Sequence, residues 1–124
     1  MNIKSSQTLV KEALSEVKTI SPSEALEMSN KNECNLIDIR DAIELQKLGK
    51  IENSFHISRG LLEFSIHPES PYIQNNQIDL SKELVLFCAA GGRSALAAKT
   101  LKDMGFKNVS HIAVSYTHLR AHET

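Results

Sequence analysis

The chain has 124 residues, of which 41% are hydrophobic, and its formal net charge is −1 at pH 7. This length and apolar content suit one domain with its own core, and a second domain is not expected. The near-neutral charge and the lack of a basic stripe give no electrostatic reason to expect a nucleic acid or an anionic membrane as a partner. No apolar run has the length of a signal peptide, or of the roughly 20 residues that a membrane span requires, so the sequence predicts a cytoplasmic protein.

The first thirty residues show two helical patterns separated by a short strand. Residues 5–17 carry apolar side chains at helical spacing, which predicts an amphipathic helix lying on the domain. A short strand is predicted at residues 18–20. The segment Ser21-Pro22-Ser23-Glu24 has the capping pattern of a helix N-terminus with proline in the first turn, so a second helix is predicted to run to about residue 30.

The middle of the chain continues this alternation. Residues 36–40 predict a buried strand, residues 41–48 a helix that ends at Gly49, and residues 54–57 a short strand. One or two helical turns are predicted at residues 60–66. This strand-helix-strand order predicts a parallel sheet.

The C-terminal half completes the pattern. Residues 67–83 contain two prolines and a polar run and are predicted to form a long exposed loop, for which both a surface insertion and a place at a pocket rim stay open. A buried strand is predicted at residues 84–87, an amphipathic helix at 95–104 and a last strand at 109–112. The fold class is therefore α/β, an open parallel sheet with helices on both faces.

Cys88 stands where the strand at residues 84–87 ends and a glycine turn begins. Gly91 and Gly92 let the backbone curl so that its amides and the following helix N-terminus converge on one sulfur, or on an anion beside it. A helix N-terminus contributes only about 0.3–1 kcal/mol, so Arg93 is expected to supply much of the charge that stabilises a thiolate. A lone cysteine at a strand end is usually an inert core residue, and it is the order of Cys, two Gly and Arg that favours a reactive Cys88.

Neither the second cysteine nor the C-terminal histidines is expected to take part in the chemistry. Cys34 precedes the strand at residues 36–40 and Cys88 follows the strand at residues 84–87, so the two cysteines are expected at opposite ends of parallel strands, beyond the reach of a disulfide. His118 and His122 have the spacing of a metal pair but lack a third ligand, so no metal site is expected.

Several segments together resemble a known family. Cys88-Ala89-Ala90-Gly91-Gly92-Arg93-Ser94 is similar to the active-site loop of single-domain rhodaneses, sulfurtransferases that carry a sulfur atom as a cysteine persulfide. Leu36-Ile37-Asp38-Ile39-Arg40, with Glu44 and Gly49, is similar to the upstream signature of that family, and residues 55–64 match a rhodanese subgroup. The resemblance runs from about residue 20 to residue 113.

The resemblance implies a sulfurtransferase with the following site residues: catalytic Cys88 and Arg93; substrate-binding Ala89, Ala90, Gly91, Gly92, Ser94 and Arg59; and supporting Asp38 and Arg40. For Asp38 and Arg40, an ordinary salt bridge at the strand end stays open. The expected partners are a small sulfur donor, such as thiosulfate or a protein persulfide, and a thiol or cyanide acceptor. No metal or organic cofactor is expected, because the cysteine itself carries the sulfur.

Two other functions stay open. Phosphatases with a Cys-plus-Arg loop place five residues between the cysteine and the arginine, whereas this chain places four. The shorter loop favours a smaller ligand than phosphate. A non-catalytic binding module of the same fold is the other alternative.

The chain departs from the family pattern at its loops and at its end. Lys50 replaces a usual histidine, and Glu52-Asn53-Ser54 stands where Pro-Gly-Ala is common. After Ala113 the Gly-Gly pair and the Trp-bearing final helix of rhodaneses are not recognisable. We therefore expect the final helix to be missing, apolar sheet surface to be exposed, and activity to be impaired.

The predicted organisation has three parts. Residues 1–17 form an N-terminal helix packed on the domain, residues 18–113 form the rhodanese-like domain, and residues 114–124 form an atypical tail whose native origin stays open.

Overall fold

The computed structural model describes residues 1–113 and 116–123. Within them, five strands form one sheet in which every pair of neighbours runs parallel, in the order β1-β5-β4-β2-β3. The strands are β1 (Lys18–Ile20), β2 (Cys34–Asp38), β3 (Phe55–His56), β4 (Glu83–Phe87) and β5 (Val109–Ile112). The predicted α/β class with an open parallel sheet is confirmed.

Helices cover both faces of this sheet. On one face α6 packs on β4 and β5, with α1 and α4 against it, and on the other face α2 packs on β2 with α7 beside it. The helices are α1 (Ser6–Leu14), α2 (Pro22–Asn30), α3 (Ala42–Leu48), α4 (Leu62–Ser65), α5 (Pro71–Gln74), α6 (Gly92–Asp103) and α7 (Tyr116–Ala121), and a 3₁₀ turn spans Arg59–Leu61. Among the described residues, no helix combines the length and the apolar character needed to cross a bilayer.

The central strand β4 explains why its sequence is a continuous apolar run. Leu84 and Leu86 belong to the core beneath α6, whereas Val85 and Phe87 belong to the core beneath α2 and α7. Successive side chains of a strand point to opposite faces, and both faces of this sheet are covered, so each position must be apolar. Burial of β4 from both sides fixes the point at which the chain leaves the sheet, at Cys88.

Residues 67–82 differ from the exposed loop that the prolines predict. They contain α5, and Ile78 is only 1% exposed because it enters the core beneath α6. The ring of Tyr72 packs edge-on against Phe55, with 4.8 Å between the ring centroids. The prediction of a long exposed loop over residues 67–83 is therefore wrong at α5 and at Ile78, while most of the segment is exposed.

The expected absence of a final helix is also corrected. In α7, Tyr116 and Leu119 lie three residues apart on one helical face, and they are 6% and 1% exposed. Both join the core formed by Ile20, Ala25 and Ile112, so the sheet surface that was expected to be exposed is covered by α7. Val114, Ser115 and Thr124 of the predicted tail lie outside the described residues.

Leu119→Ala tests whether α7 belongs to the core. Removing a fully buried leucine side chain leaves a cavity, so the free energy of unfolding in urea should fall by about 2–5 kcal/mol. Thr117→Ala, an exposed change on the same helix, should shift it by less than about 0.5 kcal/mol. Equal stability of Leu119→Ala and the wild type would show that α7 does not pack on the sheet.

Candidate active site

Cys88 lies at the carboxyl end of β4, between the turn that follows the strand and the N-terminus of α6. Its Sγ atom accepts hydrogen bonds from the main-chain N–H of Gly91, at 3.1 Å, and from that of Ser94, at 3.4 Å. Both donors belong to the first turn of the twelve-residue α6 or to the residue before it. Two amides and a helix N-terminus therefore point at one sulfur, an arrangement that stabilises negative charge there.

The turn depends on glycine at position 91. Gly91 has a φ of +94°, in the left-handed region, and a Cβ at this position would overlap the carbonyl group of Ala113. A side chain would therefore push the turn away from β5 and withdraw the Gly91 N–H from the sulfur. The close approach to Ala113 explains why this glycine is needed.

Arg93 is held by an acidic partner instead of being an unpaired cation. Its guanidinium donates to both carboxylate oxygens of Glu44, at 2.8 and 2.9 Å. The hydrogen bonds from Arg93 lower the pKa of the Glu44 carboxyl to about 2, and the same contact raises the pKa of Arg93. The pair is neutral as a whole, so its effect on Cys88 depends on which of the two charges lies nearer to the sulfur.

Glu44 connects the loop to α3 as well. Its Oε2 accepts a hydrogen bond of 2.8 Å from the main-chain N–H of Asp41, which precedes α3. The spacing of Asp41 and Glu44 in the sequence indicates a capping box. The contact with Arg93, 49 residues further along the chain, carries no such local signal.

Ser94 contributes to the site through its main chain, because its hydroxyl faces inward. The Oγ atom is fully buried, donates to the Gly91 carbonyl at 3.1 Å and lies 3.0 Å from Nδ1 of His111. Burial lowers the pKa of His111. His111 lies in a buried strand where sequence patterning gives it no role, and its contact with Ser94 becomes visible only in the folded structure.

Asp38 and Arg40 form a fully buried ion pair at the end of β2, with 2.7 Å between Oδ2 and Nη2. Arg40 also donates to the Gly49 carbonyl at 2.9 Å, and its guanidinium carbon lies 3.8 Å from the centroid of the Tyr116 ring. Between the two, the Ile39 N–H donates to the Phe87 carbonyl directly before Cys88. The pair thus lies next to the backbone beside the cysteine and to the chain after α3, and a supporting role for Asp38 and Arg40 stays a prediction.

The hydrogen bonds of the Arg59 side chain go to residues outside the loop. Among the described residues its side chain contacts Glu63, at 2.7 Å, and Thr100 of α6, at 3.4 Å. Its charge is therefore balanced by Glu63 on the next turn. A role for Arg59 in binding substrate stays a prediction.

Tyr116 is a contact of the loop that lies in the predicted tail. Its N–H is shared between the carbonyls of Cys88 and Ala89, each at 3.2 Å, and its hydroxyl donates to the Leu48 carbonyl at 2.7 Å. The start of α7 therefore holds the outer side of the loop. Ala89 is half-buried and Ala90 is exposed at the loop surface.

A groove of about 390 Å³ lies beside the loop, and its walls are Ser6, Val10 and Leu14 of α1 on one side and Ala90, Gly91 and Gly92 on the other. Cys88 itself is 1% exposed, so a donor has to reach the sulfur past the loop backbone. A larger cleft, of about 500 Å³, lies between Val17 and Phe106, away from the cysteine. Cavity size alone therefore does not mark the chemical site.

Cys34 lies at the amino ends of the strands, opposite to the end at which Cys88 lies. It is the first residue of β2 and pairs in register with Glu83, the first residue of β4, whereas Cys88 follows the end of β4. Both cysteines are free, and burial raises the pKa of the Cys34 thiol to about 11. In residues 1–113 and 116–123, no group of three or more His, Cys, Asp or Glu side chains is placed to hold a metal ion.

Comparison with solved structures finds relatives that share nearly the whole fold. A Rhodopseudomonas palustris protein of unknown function, described as a possible tyrosine phosphatase, is 39% identical, with a TM-score of 0.83 over 98% of this chain and 93% of that one. The polysulfide-sulfur transferase homodimer of Wolinella succinogenes is 32% identical, with a TM-score of 0.69 over 92% of this chain and 80% of that one.

Comparison of sequences finds a sulfur-related relative and a family model that match this chain. YrkF of Bacillus subtilis (strain 168), named as a candidate sulfur carrier protein, is 31% identical over 78 residues, which are 63% of this chain. The matched region spans only 37% of the length of YrkF. A family model described as the rhodanese-like domain matches residues 21–122, beyond the limit at residue 113 that the sequence resemblance suggests. With a cysteine loop at the carboxyl end of the central parallel strand and a family match over most of its length, the chain belongs to the rhodanese-like domain family.

Proposed function

We propose that the protein is a sulfurtransferase that accepts one sulfane sulfur on Cys88 and passes it to a thiophilic acceptor. The observation that carries this proposal is the pair of main-chain N–H groups, from Gly91 and Ser94, that point at Cys88 Sγ. Membership of the rhodanese-like family and the sulfur-related names of two relatives support it.

The proposed reaction has two displacements at sulfur. In the first, the Cys88 thiolate attacks the outer sulfur of a donor such as thiosulfate. The sulfur-sulfur bond of the donor breaks, sulfite leaves with the electron pair, and Cys88 becomes a persulfide. In the second, cyanide or a thiolate attacks the terminal sulfur, leaves as thiocyanate or as a new persulfide, and restores the Cys88 thiolate. The N–H groups of Gly91 and Ser94 stabilise negative charge on the cysteine sulfur in both steps.

The charge around the loop bears on the choice of donor. Thiosulfate is a dianion, and it would have to compete with Glu44 for the guanidinium of Arg93. The other arginine predicted to bind substrate, Arg59, is paired with Glu63. This pairing supports a donor with less charge than thiosulfate, such as an organic persulfide or a protein persulfide.

A phosphatase is the second candidate function, because the Rhodopseudomonas relative is described as a possible tyrosine phosphatase. A phosphate dianion would need Arg93 as a ligand, and the ring between Cys88 and Arg93 is one residue shorter than the phosphatase loop. The bidentate contact with Glu44 opposes that use of Arg93 in the same way as it opposes thiosulfate.

Sulfur loading distinguishes these functions. After exposure to thiosulfate, which leaves as sulfite, or to an organic persulfide, which leaves as a thiolate, the intact protein should gain the mass of one sulfur atom on Cys88 and lose it to cyanide, with release of thiocyanate. Cys34→Ser should load sulfur like the wild type, because Cys34 lies at the opposite end of the strands. Cys88→Ser should gain no sulfur. Hydrolysis of an aryl phosphate that Cys88→Ser abolishes, without any sulfur gain, would favour the phosphatase. A folded protein with neither activity would favour a binding module.

Releasing Arg93 from its partner should change donor preference. In Glu44→Gln the guanidinium is no longer neutralised, so the ratio of kcat/KM for thiosulfate, a dianion, to that for a singly charged organic persulfide should rise roughly two- to fivefold, the scale of a partly exposed charge interaction. Glu63→Gln releases Arg59 in the same way but away from the loop, so it should leave the ratio unchanged. Equal ratios of kcat/KM for the two donors in Glu44→Gln and the wild type would show that Arg93 does not influence the choice of donor.

The Glu44 carboxyl also predicts how stability varies with pH. Its pKa in the folded chain, about 2, lies below the ordinary value of 4.5, so ionised Glu44 stabilises the fold above about pH 4.5, and this contribution is lost as the pH falls towards 2. The difference in free energy of unfolding between the wild type and Glu44→Gln should therefore be largest above about pH 5 and shrink in acid.

Denaturant unfolding at a series of pH values checks this. The control is Gln46→Ala, an exposed and uncharged change on the same helix, whose difference from the wild type should not depend on pH. A pH-independent difference for Glu44→Gln would show that the ion pair with Arg93 does not form in solution.

A further inference from the structure

A fully buried histidine of β5 lies next to the cysteine loop and has a partner at each ring nitrogen. Nδ1 of His111 lies 3.0 Å from the hydroxyl of Ser94, and Nε2 lies 2.9 Å from the hydroxyl of Thr19 in β1. The imidazole thus connects the edge strand of the sheet to the first turn of α6.

One tautomer of His111 accounts for every contact in this chain. The Ser94 hydroxyl lies 3.1 Å from the Gly91 carbonyl and 3.5 Å from the Ile112 carbonyl, and with its single hydrogen directed at Gly91 it accepts from Nδ1–H of His111. Nε2 then accepts from the Thr19 hydroxyl. A neutral ring in this tautomer satisfies every partner, and burial, which lowers the pKa of His111, keeps the ring neutral.

We propose that His111 is a positioning residue for Cys88, and that it acts by holding the Ser94 hydroxyl against the Gly91 carbonyl. The two residues that this contact joins are the same two whose N–H groups point at the cysteine sulfur. The Gly91 carbonyl also accepts from the Ala95 N–H at 3.1 Å, so the Ser94 hydroxyl adds a second hydrogen bond that limits rotation about this glycine, which has no side chain of its own to restrict it. Among the described residues, the hydrogen bonds to the sulfur come from Gly91 and Ser94, and His111 acts through them.

A purely structural role is the alternative, in which His111 stabilises the sheet and the loop is unaffected. Ser110 provides the comparison for it. It precedes His111 on β5 and is equally buried, and its hydroxyl has no hydrogen-bond partner among the described residues. Ser110→Ala therefore changes a buried polar group on the same strand without touching the loop.

Two amide variants of His111 separate the two ring nitrogens. An asparagine amide N–H can take the place of Nδ1–H and still donate to Ser94, whereas the longer glutamine amide reaches towards Thr19 and leaves Ser94 without its donor. The first readout is the single-turnover rate of sulfur loading on Cys88. The second readout is the protection of the Gly91 and Ser94 amides against hydrogen exchange, which does not depend on any sulfur chemistry.

His111→Gln should lower the limiting single-turnover rate constant for loading roughly fivefold, the loss of about one hydrogen bond, with the half-saturating donor concentration unchanged because His111 does not touch the donor. In the same variant, the protection of the Gly91 and Ser94 amides against hydrogen exchange should also fall. His111→Asn should restore both readouts to near the wild-type values, and Ser110→Ala should leave them unchanged. In a Ser94→Ala background, His111→Gln should have no further effect on loading, since the two residues act through one contact.

The proposal rests on the proposed function only for the loading readout. Should the wild type not load sulfur at all, the sulfurtransferase proposal fails, and the amide protection still decides the role of His111. Unchanged protection in His111→Gln would overturn the positioning role. So would equal losses in His111→Asn and His111→Gln that follow their melting temperatures.

Discussion

The site depends on one electrostatic contact, the convergence of two main-chain N–H groups on the sulfur of Cys88. A cysteine at the end of a buried strand would otherwise be an inert apolar side chain, and Cys88 does lie within the core beneath α6. What distinguishes it is the direction of the Gly91 and Ser94 amides at the head of that helix. Backbone dipoles are fixed by the fold, so they need no rearrangement when charge develops on the sulfur.

Much of the surrounding structure keeps those amides in place. Gly91 fits against the Ala113 carbonyl only because it has no side chain, and Ser94 holds the Gly91 carbonyl from inside. From outside, the N–H of Tyr116 holds the Cys88 and Ala89 carbonyls. The loop is thus held by β5, by α7 and by its own helix.

The sequence predicts the elements and the cysteine loop well because these depend on local patterns. The apolar run before Cys88, the two glycines after it and the helical spacing beyond them are all read within about twenty residues. Contacts between distant segments leave no such pattern. The Glu44 to Arg93 pair and the His111 to Ser94 contact join different elements, and no spacing rule links them. The family pattern also misleads at the end of the chain, because Tyr116 and Leu119 bury an apolar face without the expected tryptophan.

The two cysteines allow a direct test, within one molecule, of the claim that the loop amides stabilise a thiolate at Cys88. Cys34 is the more exposed, at 7% against 1% for Cys88, so access alone would favour modification of Cys34. If the loop amides stabilise a thiolate, iodoacetamide at pH 7 should instead modify Cys88 first in the native protein, and Cys34, with its pKa raised to about 11, should react only in strong alkali or after unfolding. Peptide mapping after a timed reaction measures both. Modification of Cys34 ahead of Cys88, or of neither until the protein unfolds, would contradict the account.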